Sequence, residues 1–251
     1  MTADRPDLLT AAGSGEIRGL AAIGLGLDRG MAERVNGLAH RRHRAGDRDQ
    51  ARNLYQLVLR SYPGIASAWR GLGVIACEDG RLEAAIDCLA HAILLDPHCA
   101  RAHYNLGVAL QLDGRIEDAV AVYEQAIALE PRLVAAYNNL GHALKLLCRL
   151  DEAEEALRRA IAMKPRLAQA HSNLGDVLRL QKKLKQAEAH CRRAIALRPD
   201  YAAAYANLAS VLFDQGRSFE ARKALARAAT MRPLARNIYL FPIARSGAAG
   251  A

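Results

Sequence analysis

Apolar and small residues recur along this chain at helical spacing, and the helical segments recur on a longer period. Between Ala100 and Leu133, Leu106, Gly107 and Leu110 share one face of a first segment. Asp113-Gly114 interrupts it, with glycine suited to a left-handed helix end. Ile116, Ala119, Tyr123, Ala126 and Ile127 mark the buried side of a second segment. Pro131 closes the unit, because proline cannot continue a helix interior. The pattern predicts two antiparallel helices. It then repeats: Pro63, Pro97, Pro131, Pro165, Pro199 and Pro233 are spaced 34 residues apart. A fixed period of this length predicts units that stack on their neighbours and share an elongated core.

The period frames six units, 32–65, 66–99, 100–133, 134–167, 168–201 and 202–235. Small residues hold fixed places in them. Gly73, Gly107, Gly141 and Gly175 occupy the eighth position of four units. Ala85, Ala119, Ala153, Ala187 and Ala221 occupy the twentieth, and Ala92, Ala126, Ala160, Ala194 and Ala228 the twenty-seventh. Minimal side chains at these points predict a close approach of two helices. Residues 1–31 lie outside the period. Residues 16–28 have helical potential, weakened by Gly19, Gly24 and Gly26, and are a candidate cap for the first unit. Residues 236–251 also depart from it. Ile238, Tyr239, Leu240, Phe241 and Ile243 are expected to dock on the sixth unit, or else to form an apolar patch open to a partner or a second copy. A flexible tail is expected after them.

These features resemble the tetratricopeptide repeat family. Trp69-Arg70-Gly71-Leu72-Gly73 matches its W-x-x-L-G motif, with Ala85 and Pro97 at the matching offsets. The resemblance covers residues 32–235. The chain departs from it at Ala39 and Arg42, and at Cys148 and Lys182, which replace the glycine between helices. The resemblance implies an all-α fold, a right-handed superhelical solenoid of stacked antiparallel helix pairs whose first helices line a concave groove. It also implies a scaffold or adaptor that binds a segment of another protein there.

On that implied groove, Asn105, Asn139, Asn173 and Asn207 hold the sixth position of four successive units, and Leu112, Leu146 and Leu180 the thirteenth of three. His142, Lys145, Asp176 and Arg179 fall beside them. An amide carries both donors and an acceptor, so an asparagine row can pair with the backbone of an extended peptide. The same amides can instead satisfy local backbone or water. The row resembles the repeat domain of O-linked N-acetylglucosamine transferases, in which matching asparagines contact the substrate polypeptide. Only 236–251 follows the last unit, too little for a transferase domain. The alternative function is therefore a recognition arm for a separately encoded glycosyltransferase.

Composition narrows these readings. The chain is 51% hydrophobic but only 5% aromatic, and its abundant Ala and Leu favour helix. The formal net charge is +9. Arg158-Arg159, Arg192-Arg193 and Arg227 form a basic stripe on the second helices, but no aromatic residues interleave to stack on bases, which argues against nucleic acid. Cys77, Cys88, Cys99, Cys148 and Cys191 form no CxxC pair and fall on different elements of the frame, so reduced thiols without a metal are expected. No catalytic motif is present, and an enzyme or a cofactor is not expected. The first residues are acidic where a secretory signal is basic, and no apolar run spans a bilayer. A cytoplasmic protein without a membrane partner is the expectation.

Overall fold

The computed structural model describes residues 27–231. The first twenty-six residues, Pro233 and the apolar segment with Ile238, Tyr239, Leu240, Phe241 and Ile243 lie outside them. Among the described residues there are twelve helices and no strand. They are α1 (Arg29–Arg44), α2 (Arg48–Ser61), α3 (Ala66–Glu78), α4 (Leu82–Leu95), α5 (Ala100–Leu112), α6 (Ile116–Leu129), α7 (Val134–Leu146), α8 (Leu150–Met163), α9 (Ala168–Leu180), α10 (Leu184–Leu197), α11 (Ala202–Asp214) and α12 (Ser218–Thr230). First helices begin at 66, 100, 134, 168 and 202, and second helices at 48, 82, 116, 150, 184 and 218, so both series keep the 34-residue period. This is the helical-repeat fold anticipated above. The chain divides into two compact units, Met1–Leu72 and Gly73–Ala251, with the boundary inside α3.

In the first unit α1 starts at Arg29, ahead of the boundary expected at 32. Asp28, the last residue of the candidate cap, is the reason: its side chain accepts the Met31 amide at 2.7 Å and caps α1. Tyr55 of α2 is fully buried, with its ring against Gly71 and its hydroxyl bonded to His40 Nδ1. Asn36 Nδ2 donates to Ser67 Oγ at 2.8 Å.

In the second unit each first helix packs on its own second helix, and each second helix on the following first helix. Successive first helices also touch: α5 on α7, α7 on α9 and α9 on α11. No comparable packing joins successive second helices among the described residues. The first helices therefore line the inner side of this unit's curve.

Glycines set the depth of four pairs, and Ala39 and Ala209 hold the same position in the other two. A Cβ on Gly73 would lie 2.6 Å from Leu89, on Gly107 2.6 Å from Tyr123, on Gly141 2.5 Å from Leu157, and on Gly175 2.5 Å from the Cys191 thiol. The Ala153 and Ala187 carbonyls sit at 3.1 and 3.2 Å from two of these points. Leu89, Tyr123, Leu157 and Cys191 are fully buried as a result.

The connections are equally regular. Gly80, Gly114 and Gly216 turn the chain between helices with positive φ. Cys148 and Lys182 hold the same left-handed conformation, at φ 58° and 63°, without being glycine. In three units the fourth position fastens the proline linker. Trp69 Nε1 donates to the Pro63 carbonyl at 2.7 Å, and His103 and His171 place Nε2 at 3.0 and 3.1 Å from the Pro97 and Pro165 carbonyls. These rings thus bond backbone as well as pack.

Two outcomes follow. Gly141→Leu lowers the melting temperature sharply, by overpacking the α7–α8 contact at a cost of about 3 kcal/mol or more; calorimetry of the variant checks this. Cys148→Gly and Lys182→Gly each raise stability, by about 1 kcal/mol, because the left-handed conformation costs other residues that much. Urea midpoints measure the gain.

Candidate functional site

Position six of the last three units falls where two successive first helices approach. Asn139 Nδ2 donates to the Tyr104 hydroxyl at 3.3 Å, Asn173 Nδ2 to Asn138 Oδ1 at 3.1 Å, and Asn207 Nδ2 to Ser172 Oγ at 3.0 Å and its carbonyl at 3.1 Å. Each bond runs from position six of one unit to position five of the unit before. Asn138 Nδ2 also donates to Asn139 Oδ1 at 3.1 Å, which joins two rungs. Asn138, Asn139, Ser172 and Asn173 are buried, whereas Asn105 and Asn207 are half-buried. The asparagine row was expected to face a ligand. Asn139 and Asn173 instead face the neighbouring helix, and their amide donors bridge units. Positions five and six lie between helices here, because the inner helices touch.

A second row runs parallel to it near the ends of the inner helices. Gln111 Nε2 meets His142 Nδ1 at 2.7 Å, and Gln111 Oε1 accepts the Tyr123 hydroxyl at 2.9 Å. Lys145 Nζ donates to Asp176 at 2.8 Å. Arg179 bonds the same carboxylate at 3.0 Å and reaches Asp214 at 3.2 Å. The structure thus brings together Lys145, Asp176 and Arg179, which with Asp214 form one alternating chain of charge across three units. Burial opposes ionisation of Asp176, but Lys145 and Arg179 outweigh it and hold its pKa below the usual value. His142 belongs to the Gln111 link of this row. Burial, aided by the Lys145 charge, lowers its pKa to about 4, so the ring is neutral at pH 7.

The leucine row behaves differently. Leu112 is half-buried, but Leu146 is 49% and Leu180 39% exposed at the last residues of α7 and α9. In the next unit Phe213, on α11, is 44% exposed, and sequence reasoning missed it. It sits one place before the frame position of the leucines, where Asp214 stands, so a fixed column does not find it.

The outer face offers less. Arg158 bonds Glu154 at 2.6 Å, Arg159 bonds Glu155 at 3.0 Å and Arg192 bonds Glu188 at 2.8 Å, so carboxylates one turn away offset much of the basic stripe. Lys183 and Arg217 cross from the following units to Glu154 and Glu188, at 2.9 and 2.8 Å. His171 and His190 stack with Nδ1 atoms 3.0 Å apart. His171 Nε2 faces a carbonyl and must carry the proton, so in the neutral pair its Nδ1 accepts from His190. Cys77 and Cys191 are buried, Cys88 and Cys99 half-buried and Cys148 exposed, all as free thiols. Burial raises the Cys77 and Cys191 thiols to about 12. Among the described residues no group of three or more His, Cys, Asp or Glu is placed to hold a metal ion, and no helix is long and apolar enough to cross a membrane.

Residues 36–198 match the family model described as the cilia and flagella-associated protein 70 C-terminal domain, a tetratricopeptide model. Residues 166–233 match a model described as tetratricopeptide repeat. No curated protein matches the sequence. Among solved structures, PilF of Pseudomonas aeruginosa is similar at 18% identity and a TM-score of 0.67, over 79% of this chain and 89% of that one. MamA from Desulfovibrio magneticus RS-1 is similar at 20% identity and 0.59, over 66% and 94%. YrrB, described as a tetratricopeptide protein with an unusual peptide-binding site, is similar at 19% identity and 0.57, over 72% and 93%. At these identities the likeness is one of fold.

Asn173→Ala removes the donor to the buried Asn138 carbonyl and lowers stability by about 1–3 kcal/mol, which chemical denaturation measures. Acid weakens the fold before its carboxylates titrate. The pKa values of His40 and His142 are lowered to about 4, mainly by burial, and those of His171 and His190 are lowered too. The unfolded chain takes up these protons near pH 6.5, the folded chain only lower. Stability is therefore intact above about pH 6.5 and falls as pH drops toward 4. Urea midpoints at pH 7.5 and 5.0 show the fall, and His142→Gln reduces it.

Proposed function

The chain belongs to the tetratricopeptide-repeat family, and from that premise we propose that it is a protein-interaction scaffold whose inner first-helix face binds a segment of another protein. The observation that carries this reading is the exposure of Leu146, Leu180 and Phe213 at the C-terminal ends of inner helices in three successive units. Large apolar side chains repeated on one face gain by being covered, and a partner segment running across the units covers them together.

The asparagines enter this reading in a smaller role. Asn105 and Asn207 are half-buried at the edge of the face, whereas Asn139 and Asn173 shape it from beneath. The alternative, a recognition arm for a separate glycosyltransferase, relied on a full asparagine row meeting the substrate. Its support weakens with the commitment of those amide donors to the neighbouring units. The reading by nucleic acid weakens in the same way, since Arg158, Arg159 and Arg192 are each paired on their own helices.

The test is a double variant, Leu146→Asp with Leu180→Asp, assayed against proteins captured by the intact chain. Both side chains are exposed at helix ends, so the melting temperature is expected to hold while capture falls at least tenfold. Undiminished capture by the folded variant would sink the proposal. Asn139→Ala with Asn173→Ala is expected to act mainly on stability.

A further inference from the structure

The second helices of the second compact unit change the sign of their charge along the stack. Neither α4, with Glu83 and Asp87, nor α6, with Glu117, Asp118 and Glu124, carries a lysine or arginine. The balance reverses in α10, where Lys185, Arg192 and Arg193 stand against Glu188, and in α12, where Arg222, Lys223 and Arg227 stand against Glu220. The switch keeps to fixed places in the repeat. Position eighteen reads Glu83, Glu117 and Asp151, then Lys185, and position twenty-six reads His91 and Gln125, then Arg159, Arg193 and Arg227. All of these side chains are exposed.

Midway lies α8, which holds both signs: Asp151, Glu152, Glu154 and Glu155 in its first half, Arg158 and Arg159 in its second. With Lys183 of the following repeat it lines an open groove of about 580 Å³. Arg158, Arg159 and Arg192 pair with carboxylates on their own helices, but they are 57%, 62% and 55% exposed. Ion pairs so open to water hold their partners weakly and can exchange them.

We propose that this outer face binds a second copy of the chain turned end for end, with the α10 of one copy over the α6 of the other and the two α8 helices antiparallel. The segregation of charge selects this occupant. A wholly acidic or wholly basic partner is attracted at one end of the face and repelled at the other. An inverted copy matches both ends, and α8 matches itself, its acidic half meeting the basic half of its twin. The contact is isologous, with the twofold axis through α8. Because the outer side is convex, α6, α8 and α10 make the contact, while α4 and α12 add attraction at longer range. Both inner faces stay open in such a dimer.

The test is sedimentation velocity of the full chain at rising concentration. A dimer is expected whose Kd rises about tenfold or more between about 0.1 M and 1 M salt, where the Debye length falls from about 10 to 3 Å. Two charge-reversed variants check the register: Glu117→Lys with Glu124→Lys, and Lys185→Glu with Arg193→Glu. Each is expected to be monomeric with its melting temperature held, since all four side chains are exposed. Mixed in equal amounts, the two variants are expected to pair again, because each reversed helix then meets the other. Failure of the folded variants to associate on mixing, or a dimer indifferent to salt, would overturn the proposal. So would an intact chain that stays monomeric; its retention on polyaspartate would then name an acidic partner as the occupant.

Discussion

The helix-to-helix distance inside the four glycine-bearing pairs is the constraint from which the other contacts follow. At Gly73, Gly107, Gly141 and Gly175 the missing side chain lets the facing residue lie where a Cβ would collide with it. The facing residue varies from leucine to tyrosine to cysteine, but the glycine does not. The absent Cβ, rather than any one partner, therefore fixes how deeply the helices settle. At that depth the residues of position twenty-four are sealed against water. Fully burying a side chain such as Leu157 is worth about 1.5–3 kcal/mol, a term that recurs from unit to unit.

With the pairs so spaced, successive inner helices come within reach of short polar side chains. Two rows of bonds then tie unit to unit: the asparagine bridges at positions five and six, and the Gln111–His142 and Lys145–Asp176–Arg179 links nearer the helix ends. On the outer side Glu154 and Glu188 receive Lys183 and Arg217 from the following units. Apolar packing alone would tolerate a small slide between units. These bonds do not, because a shift would leave buried amides such as Asn138 without partners. Polar contacts thus set the register that hydrophobic contacts leave loose.

The repeat period made nearly all of this architecture legible. Proline spacing placed the linkers, and glycine and alanine positions placed the close contacts. The departures at Cys148 and Lys182 were visible too, although only the backbone shows that they keep the glycine conformation. The candidate site was less legible. A column of identical residues does not reveal whether its side chains meet solvent or the next helix. Asn139 and Asn173 depend on a helix-to-helix approach that no local pattern encodes. Phe213 was hidden for a related reason, since it continues an apolar row from a neighbouring frame position. The charges misled in the opposite direction, because the formal +9 counts arginines whose carboxylate partners sit on the same helix.

On the proposed function, this distribution of commitments would shape recognition. Polar groups on the inner face are already bonded to one another, so a ligand gains little by replacing those bonds with its own. The remaining favourable term is the covering of Leu146, Leu180 and Phe213, each already partly shielded and so worth only about 1 kcal/mol. A row of that strength, set against the cost of immobilising a ligand, does not give tight binding by itself. In the proposed function it would give a broad and weakly selective contact whose affinity grows with the number of units a ligand crosses. A short peptide that touches a single unit gains almost nothing. On the proposed face, length of engagement, more than the identity of any one side chain, would separate a partner from a passer-by.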